Sequence, residues 1–482
     1  MKANKILLRK SALATIDVLL FHAGLVLAFF VRFGSGLSSK QHNLETYLDV
    51  IPWLAIATVA VFSALDLYTD WYRRSGIQLL SLIVWAVLIL TVLTMAITFW
   101  ERGFAFPRSV MLLAVPIQTV LLTTYRGYAK RVYQARFSNR RLLIIAEDEE
   151  ACLRLADRFL NQSHPWLRLK ELLPLSEIDL LPVRLPHVDA VALSSKLPNR
   201  DEIVQLSVQQ GREVLLVPEF PDLLMLRASP QQVDDLLVLS IRPATPGPVS
   251  LLIKRMLDLA GAALILLITS PIMALLYVLI PLTSKGPALF QQERLGLAGK
   301  PYQLFKFRTM VADAEKGTGP ILAAHNDPRV TRLGHFLRAT RLDELPQLIN
   351  VLRGDMSLVG PRPERAFFVD QFRSSLPTYH LRLAVKPGIT GLAQIMGKYS
   401  TGVEDKLRYD LMYLQEYSIL LDLKILVLTA CVLLEPRKAA GLRTAPQWFV
   451  PSRTRHGRQL PSAVSAAAHP PVVPERPAQS AA

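Results

Sequence analysis

The sequence predicts three folded units: an α-helical membrane region, a parallel α/β domain, and a second α/β unit that begins with another apolar helix. Three observations carry this reading. Four apolar runs of bilayer length occupy the first quarter of the chain. From Arg141 the pattern changes to short apolar runs alternating with polar helical stretches. A fifth long apolar run follows Lys254 and leads into a basic region dense in motifs. At 482 residues the chain has room for about three domains. Hydrophobic residues make up 51% of it and the mean hydropathy is +0.28, high for a chain that meets only water. The net charge is +16. Such an excess of Lys and Arg beside apolar spans suits anionic lipid headgroups and charged substrates, and not nucleic acid. The two cysteines, Cys152 and Cys431, form no metal-type pair, which excludes a zinc or disulfide scaffold. Cys431 lies in an apolar run and reads as a packing residue.

The first unit, residues 1–135, reads as four transmembrane helices. Its apolar runs lie at about Ser11–Val31, Ile51–Leu67, Leu79–Phe99 and Phe104–Leu122. Lys2, Lys5, Arg9 and Lys10 precede the first, Arg73 and Arg74 lie midway, and six cations from Arg126 to Arg141 follow the last. The positive-inside rule puts all three groups in the cytoplasm, consistent with an even number of spans. The first run is too long for a cleavable signal peptide and lacks a clear cleavage site. Asp17 lies inside it, near the cytoplasmic end, where hydrogen bonding between helices or at the interface is expected.

The second unit, residues 136–245, reads as a cytoplasmic Rossmann-like domain. Leu142–Ala146, Val188–Ser194, Glu213–Val217 and Asp235–Ile241 are expected as buried strands, with helices at about Glu149–Leu160 and Arg200–Gln210. After the first strand stands Ala146-Glu147-Asp148-Glu149-Glu150-Ala151, with four acids and no glycine. A dinucleotide pyrophosphate there would meet like charge and bulky side chains. The domain is therefore expected to be structural or regulatory. The Pro243–Pro248 segment reads as a linker.

The third unit, residues 250–440, opens with Lys254-Arg255 and an apolar run to about Leu282, interrupted by Ser270-Pro271. Proline removes a helix hydrogen bond, so a kink is expected there. Length alone allows a fifth span. From Tyr302 to Met310 the residues alternate, with Lys306 and Arg308 on one face and Phe305 and Phe307 on the other, a strand with a basic face. Asp343 and Glu344 then follow Arg338 and Arg341 and precede Pro346, a residue tolerated only early in a helix. Asp343 reads as an N-cap or first helical residue. One reading makes the pair a cap and a first-turn acid. The other notes that carboxylates among cations suit Mg²⁺-assisted phosphoryl transfer, with Arg362 in the rigid Pro361-Arg362-Pro363 turn as a further positive element. Ile419–Leu434 is apolar but carries Asp422 and Lys424, and reads as an interfacial or packed helix. Residues 441–482, within a stretch rich in Pro, Ala, Ser and Arg, are expected to be disordered.

Asp343-Glu344-Leu345-Pro346-Gln347-Leu348, followed by Gly354-Asp355-Met356-Ser357-Leu358-Val359-Gly360-Pro361-Arg362-Pro363, resembles the motif of bacterial polyprenyl-phosphate phosphoglycosyltransferases, also called bacterial sugar transferases. The stretch from Gln291 to Gly296, Lys306 to Met310, Asn326 to Arg329 and Lys386 to Gly391 are similar to the family too, and the resemblance runs from Lys254 to about Leu434. The full chain resembles the large members that start exopolysaccharide or capsule repeat units.

The resemblance implies transfer of a phosphosugar from a UDP-sugar to undecaprenyl phosphate, with UMP leaving, at the bacterial inner membrane. It implies a monotopic catalytic domain whose membrane helix is re-entrant, turning back at Ser270 and Pro271 so that the soluble domains stay in the cytoplasm. It implies that Asp343 attacks the sugar-bearing phosphorus and that Mg²⁺ lies close to Asp343 or Glu344. Arg294, Lys306, Arg308, Arg338 and Arg341 are then expected around the diphosphate, with Arg362 on the nucleotide phosphates. Arg341 stands where many relatives have a small polar residue, which could tune sugar preference. Membrane lipid is an expected partner and a homo-oligomer stays open. The competing reading is a catalytically inactive membrane scaffold, against which the intact Asp343-Glu344 pair and Arg362 argue. A nucleotide-sugar-modifying enzyme is disfavoured because the α/β domain has no Tyr-x-x-x-Lys and no glycine turn. The motifs do not separate glucose, galactose and related phosphosugars.

Overall fold

The structure, a computed structural model, describes residues 2–34, 41–69, 71–74, 76–100, 107–137, 140–160, 167–226, 228–241, 247–312, 314, 327–397 and 401–433. The expected disordered tail, 441–482, and most of the expected linker before Pro248 lie outside the described residues.

The N-terminal region consists of α1 (Lys2–Phe33), α2 (Gln41–Ala64), α3 (Gly76–Trp100) and α4 (Arg108–Phe137). Each contains a stretch long and apolar enough to cross a membrane. Phe21, Leu54, Phe62, Ile83, Leu90 and Leu122 meet in a shared core. Leu19, Val31, Trp53, Val92 and Leu112 point outward, so the bundle is apolar on both sides of its helices, as lipid contact requires. Asp17 of α1 is buried against Arg126 of α4, an interhelical ion pair. Arg126 also donates to the Leu67 carbonyl at 2.9 Å and lies over the Trp71 ring. A charge at this depth persists only when paired.

Strands β1 (Arg140–Ala146), β2 (Leu167–Pro174), β3 (Ala190–Leu193) and β4 (Glu213–Leu216) form a parallel sheet in the order β2-β1-β3-β4. Helices α5 (Glu149–Leu160), α6 (Leu181–Arg184) and α7 (Arg200–Gln209) lie in its connections. Leu143 and Ile145 enter one core while Leu142 and Ile144 enter another, so both faces are covered. Strand β2 has no counterpart in the sequence reading. It is an edge strand whose Arg168, Lys170 and Glu171 break the apolar pattern. The expected buried strand at Asp235–Ile241 is corrected. After α8 (Phe220–Met225), β5 (Ser229–Val233) and β6 (Leu236–Ser240) form a separate antiparallel hairpin. Asp234, with φ 56°, turns the chain back, and Leu236, Leu237 and Leu239 stay exposed.

Helix α9 (Pro248–Thr283) is, among the described residues, the fifth helix long and apolar enough to cross a membrane. Helical backbone continues through Ser270 and Pro271, so the expected break is not a break in the helix. Pro271 leaves the Leu267 carbonyl without its usual donor, and the Ser270 hydroxyl donates to it at 2.8 Å. Both ends of α9 grip one globular unit. Near the start, Lys254 donates to the Val359 carbonyl at 3.1 Å and to Asp422 at 2.6 Å. Asp258 accepts from the Ser357 hydroxyl and the Leu358 amide, both at 3.0 Å. Near the end, Leu276 and Ile280 pack with Ala288, Phe307 and Leu337. Leu264, Leu267, Ile268, Leu275 and Leu282 face outward.

The rest of that unit comprises the antiparallel ribbon β7 (Leu289–Leu295) and β8 (Pro301–Phe307), then α10 (Arg332–Thr340), α11 (Gln347–Arg353) and β9 (Ser357–Val359). Helix α12 (Ala366–Ser375) follows, then β10 (Gly388–Thr390), α13 (Leu392–Met396), α14 (Val403–Gln415) and α15 (Ile419–Leu433). Strand β10 pairs parallel with β9. Helix α15 is packed: Ile425 enters the core beneath the site, Cys431 enters the core of the bundle, and Lys424 pairs with Asp66 from the α2–α3 connection.

Candidate active site

Helix α10 is capped at its start by Thr331, whose hydroxyl accepts from the Gly334 amide at 2.9 Å. It ends at Arg341, which adopts the left-handed conformation with φ 60° and ψ 15°. This conformation costs a side chain such as Arg about 1–2 kcal/mol, a strain typical of functional turns. It reverses the chain into a 3-10 turn, Leu342–Glu344, that carries both carboxylates inward, and both residues are buried. Helix α11 starts only at Gln347, with Pro346 as its cap residue. Asp343 is therefore not the helix cap that one reading allowed; it sits in the turn ahead of the helix.

One oxygen of Glu344, Oε1, faces three cations. Arg362 Nη2 donates to it at 3.0 Å, Arg341 Nη1 stands at 3.5 Å and Lys306 Nζ at 3.6 Å. Burial alone would raise the Glu344 pKa, but Arg362, Lys306 and Arg341 overcome it and lower it to about 2. Asp343, one residue earlier, is pushed the other way, by burial and by the Glu344 charge, with the same cations only partly offsetting this. Its Oδ1 is buried with no hydrogen-bond partner among the described residues. Lys306 is lowered by burial and partly restored by Glu344. Two adjacent carboxylates thus have opposed environments: one tied down as an anion, the other with an uncommitted oxygen.

Arg362 is aimed by the strand pair behind it. The Gly360 amide donates to the Thr390 carbonyl and the Gly388 amide to the Pro361 carbonyl, both at 2.9 Å. A Cβ on Gly360 would lie 2.4 Å from the Lys386 carbonyl oxygen, so only glycine lets the two backbones touch. The prolines on each side of Arg362 then fix its backbone.

The cations expected around the diphosphate and the nucleotide phosphates fall in three places. Lys306, Arg341 and Arg362 meet at Glu344. Arg294 stands behind them, donating to the Pro363 carbonyl at 3.3 Å and to Gln292 Oε1 at 2.6 Å, with Glu364 at 3.6 Å. Arg308 and Arg338 do not reach the carboxylates. Arg308 donates to the carbonyls of Ser284 and Lys285, both at 2.7 Å, and so ties down the end of α9. Arg338 Nε donates to the Thr309 hydroxyl at 2.9 Å. Strand alternation placed Lys306 and Arg308 on one face, but β8 ends at Phe307, so the two diverge. Sequence reasoning missed Tyr379, Arg382 and the role of Asp410, which form a buried cluster behind Arg362. Asp410 lies on α14 and Arg382 in a 3-10 helix, Pro377–Ala384, both far along the chain from the Asp343 motif, so nothing local to either links it to Arg362.

Among the described residues no three His, Cys, Asp or Glu side chains converge as a ready-made metal cage. The free Oδ1 of Asp343 beside Glu344 nevertheless fits a Mg²⁺ that takes one or two carboxylates and completes its shell with substrate phosphates and water.

The family model described as bacterial sugar transferase matches residues 249–436. A Klebsiella pneumoniae protein named UDP-glucose:undecaprenyl-phosphate glucose-1-phosphate transferase is 32% identical over 450 residues, covering 86% of this chain and 92% of that protein. A Caulobacter vibrioides protein of the same name is 45% identical over 204 residues, 41% of this chain and 76% of that one. An Aeromonas hydrophila protein named UDP-N-acetylgalactosamine-undecaprenyl-phosphate N-acetylgalactosaminephosphotransferase is 42% identical over 187 residues, 38% of this chain and 44% of that one.

Proposed function

We infer the function from one premise: this chain belongs to the bacterial sugar transferase family. It is a membrane enzyme that transfers a sugar phosphate from a UDP-sugar to undecaprenyl phosphate and releases UMP, the opening membrane step of an exopolysaccharide or capsule pathway. The observation that carries the reading is the Asp343–Glu344 turn, with Asp343 Oδ1 uncommitted and Glu344 held by three cations. Relatives whose names specify glucose and N-acetylgalactosamine both match this chain, so the sugar is assigned only as far as its UDP-linked class.

In the first step an Asp343 carboxylate oxygen attacks the sugar-bearing phosphorus. The bond from that phosphorus to the bridging oxygen breaks, and UMP leaves with the electron pair. An acyl-phosphate sugar remains on Asp343. In the second step an oxygen of undecaprenyl phosphate attacks the same phosphorus, the acyl–phosphate bond breaks, and the Asp343 carboxylate is regenerated. Arg362, Lys306 and Arg341 supply positive charge where phosphate oxygens accumulate negative charge, and they do so from fixed positions. Glu344 keeps these cations gathered beside the nucleophile. Mg²⁺ held at Asp343 and Glu344 would neutralise the diphosphate and make phosphorus easier to attack.

We propose that the N-terminal bundle crosses the bacterial inner membrane as four spans, with the soluble domains in the cytoplasm; the support is that each of α1 to α4 holds a stretch long and apolar enough to span. Helix α9 is proposed as re-entrant. Support comes from its two ends, which pack on one globular unit and so belong on one side of the bilayer. Its outward leucines supply the face that enters lipid.

The test is release of UMP from a panel of UDP-sugars by membranes containing the protein and undecaprenyl phosphate. Wild type should release UMP with at least one donor. Asp343→Asn should accumulate as folded protein, because the amide keeps the shape, and should lose turnover by a factor of about 10³ or more, because it removes the nucleophile. UMP release by that variant near the wild-type rate would overturn the assignment, and an inert wild type across the panel would favour the scaffold.

A further inference from the structure

The turn that presents Arg362 does not support itself. Arg382 Nη2 donates to the Arg362 carbonyl at 2.9 Å. The same guanidinium donates through Nε to Asp410 Oδ2 at 2.9 Å and through Nη1 to the Tyr379 hydroxyl at 2.7 Å. Its Nη2 also lies 2.7 Å from Asp410 Oδ2, and both side chains are almost wholly buried, at 6% and 3% exposure. The fork geometry of arginine allows one side chain to hold a carboxylate, a hydroxyl and a backbone carbonyl together, which a lysine ammonium cannot match.

We propose that Arg382, fixed by Asp410 and Tyr379, is the positioning residue for Arg362 in the phosphosugar transfer. It acts only through Arg362 and touches no substrate; the inference rests on the function proposed above. Removing the Arg382 donor frees the Arg362 carbonyl, and the turn can then relax by the fraction of an ångström that separates a 3.0 Å contact to Glu344 from none. Misplacement of that order is costly in a site that works by fixed charges.

Asp410 gives this support a second anchor. It lies on α14, whose Leu407 and Leu411 pack with Leu223 of α8. From the same helix, Arg408 donates to the Pro218 carbonyl at 2.8 Å, just past the end of β4 in the parallel sheet. The α/β domain thus holds the helix that holds Arg382. The carboxyl end of the sheet, where such folds commonly take a ligand, receives an arginine of the same chain.

The experiment is a double-mutant cycle between positions 382 and 362, read as UMP release per folded protein in detergent or nanodiscs. Arg382→Lys keeps the charge for Asp410 but cannot make all three bonds. In the wild-type background it should lower kcat by about tenfold, with KM for the UDP-sugar changed less than about threefold. In an Arg362→Lys background the same change should cost less than about twofold, because the residue it positions is already gone. Equal losses in the two backgrounds, or no loss in wild type, would overturn the proposal. If Arg382→Lys does not fold, Tyr379→Phe gives the same comparison, since it removes only the hydroxyl partner. It should cost a few-fold in wild type and nothing with Arg362→Lys; equal costs again overturn it. UMP release by wild type is the separate control for the enzymatic reading.

Discussion

At the residue scale, Glu344 explains why not every arginine near the motif matters equally. Its Oε1 gathers Arg362, Arg341 and Lys306, whereas Arg338 spends its guanidinium on Thr309 one helix away. Arg362 makes the shortest of the three contacts and stands on a turn held between two prolines. Replacing it with lysine removes the planar fork that suits phosphate. Arg362→Lys should therefore lower kcat/KM for the UDP-sugar by about 10–100-fold. Arg338→Gln should stay within about threefold of wild type. Steady-state UMP release checks both, and the assignment of the diphosphate pocket fails if the two effects are reversed.

At the scale of elements, α9 is held at both ends by polar bonds of unlike kinds. Its start is fixed by the Lys254–Asp422 pair and by Asp258 on β9. Its end depends on Arg308, which closes the turn at Ser284 and Lys285. Hydrogen bonds to a charged group contribute about 1.5–3 kcal/mol, and here carbonyls would be left without donors. Arg308→Ala should lower the unfolding midpoint of the detergent-solubilised enzyme by several degrees. The surviving folded fraction should keep near-wild-type KM for the UDP-sugar. A large rise in KM with unchanged stability would return Arg308 to the substrate-binding group. Nothing in strand alternation could have separated it from Lys306, because the strand ends between them.

At the scale of the whole molecule, one globular unit is attached to membrane-facing parts from two directions. Helix α9 underlies it, and α15 ties it to the bundle through Cys431 and the Lys424–Asp66 pair. A catalytic unit held in this way meets a lipid acceptor and a water-soluble donor at one surface. The re-entrant placement predicts that both ends of α9 face the cytoplasm. Single cysteines replace Ser250 and the exposed Lys285 in a variant lacking Cys152 and Cys431. A membrane-impermeant thiol reagent should then label both positions only after the cells are opened. Labelling at 285 but not at 250 in intact cells would make α9 a span and remove the proposed cytoplasmic site.

What depends on local pattern could be read from the order of residues alone. Runs of apolar residues of bilayer length, the short continuous apolar runs of β1, β3 and β4, and the two motif stretches between Asp343 and Pro363 are properties of neighbouring residues, and each was legible. The edge strand β2 was hidden because an edge needs only one buried side, and charges interrupt its pattern. The hairpin at β5–β6 was misread because a continuous apolar run looks alike whether buried or exposed. Packing between distant segments set which cations meet Glu344, and put Arg382, 38 positions beyond it, behind Arg362. Those facts depend on the left-handed turn at Arg341 and on the glycine contacts between β9 and β10, which bring distant backbones together. Long-range geometry of this kind leaves no periodic trace in the chain, because it arises from packing between segments and not from the order of residues within one.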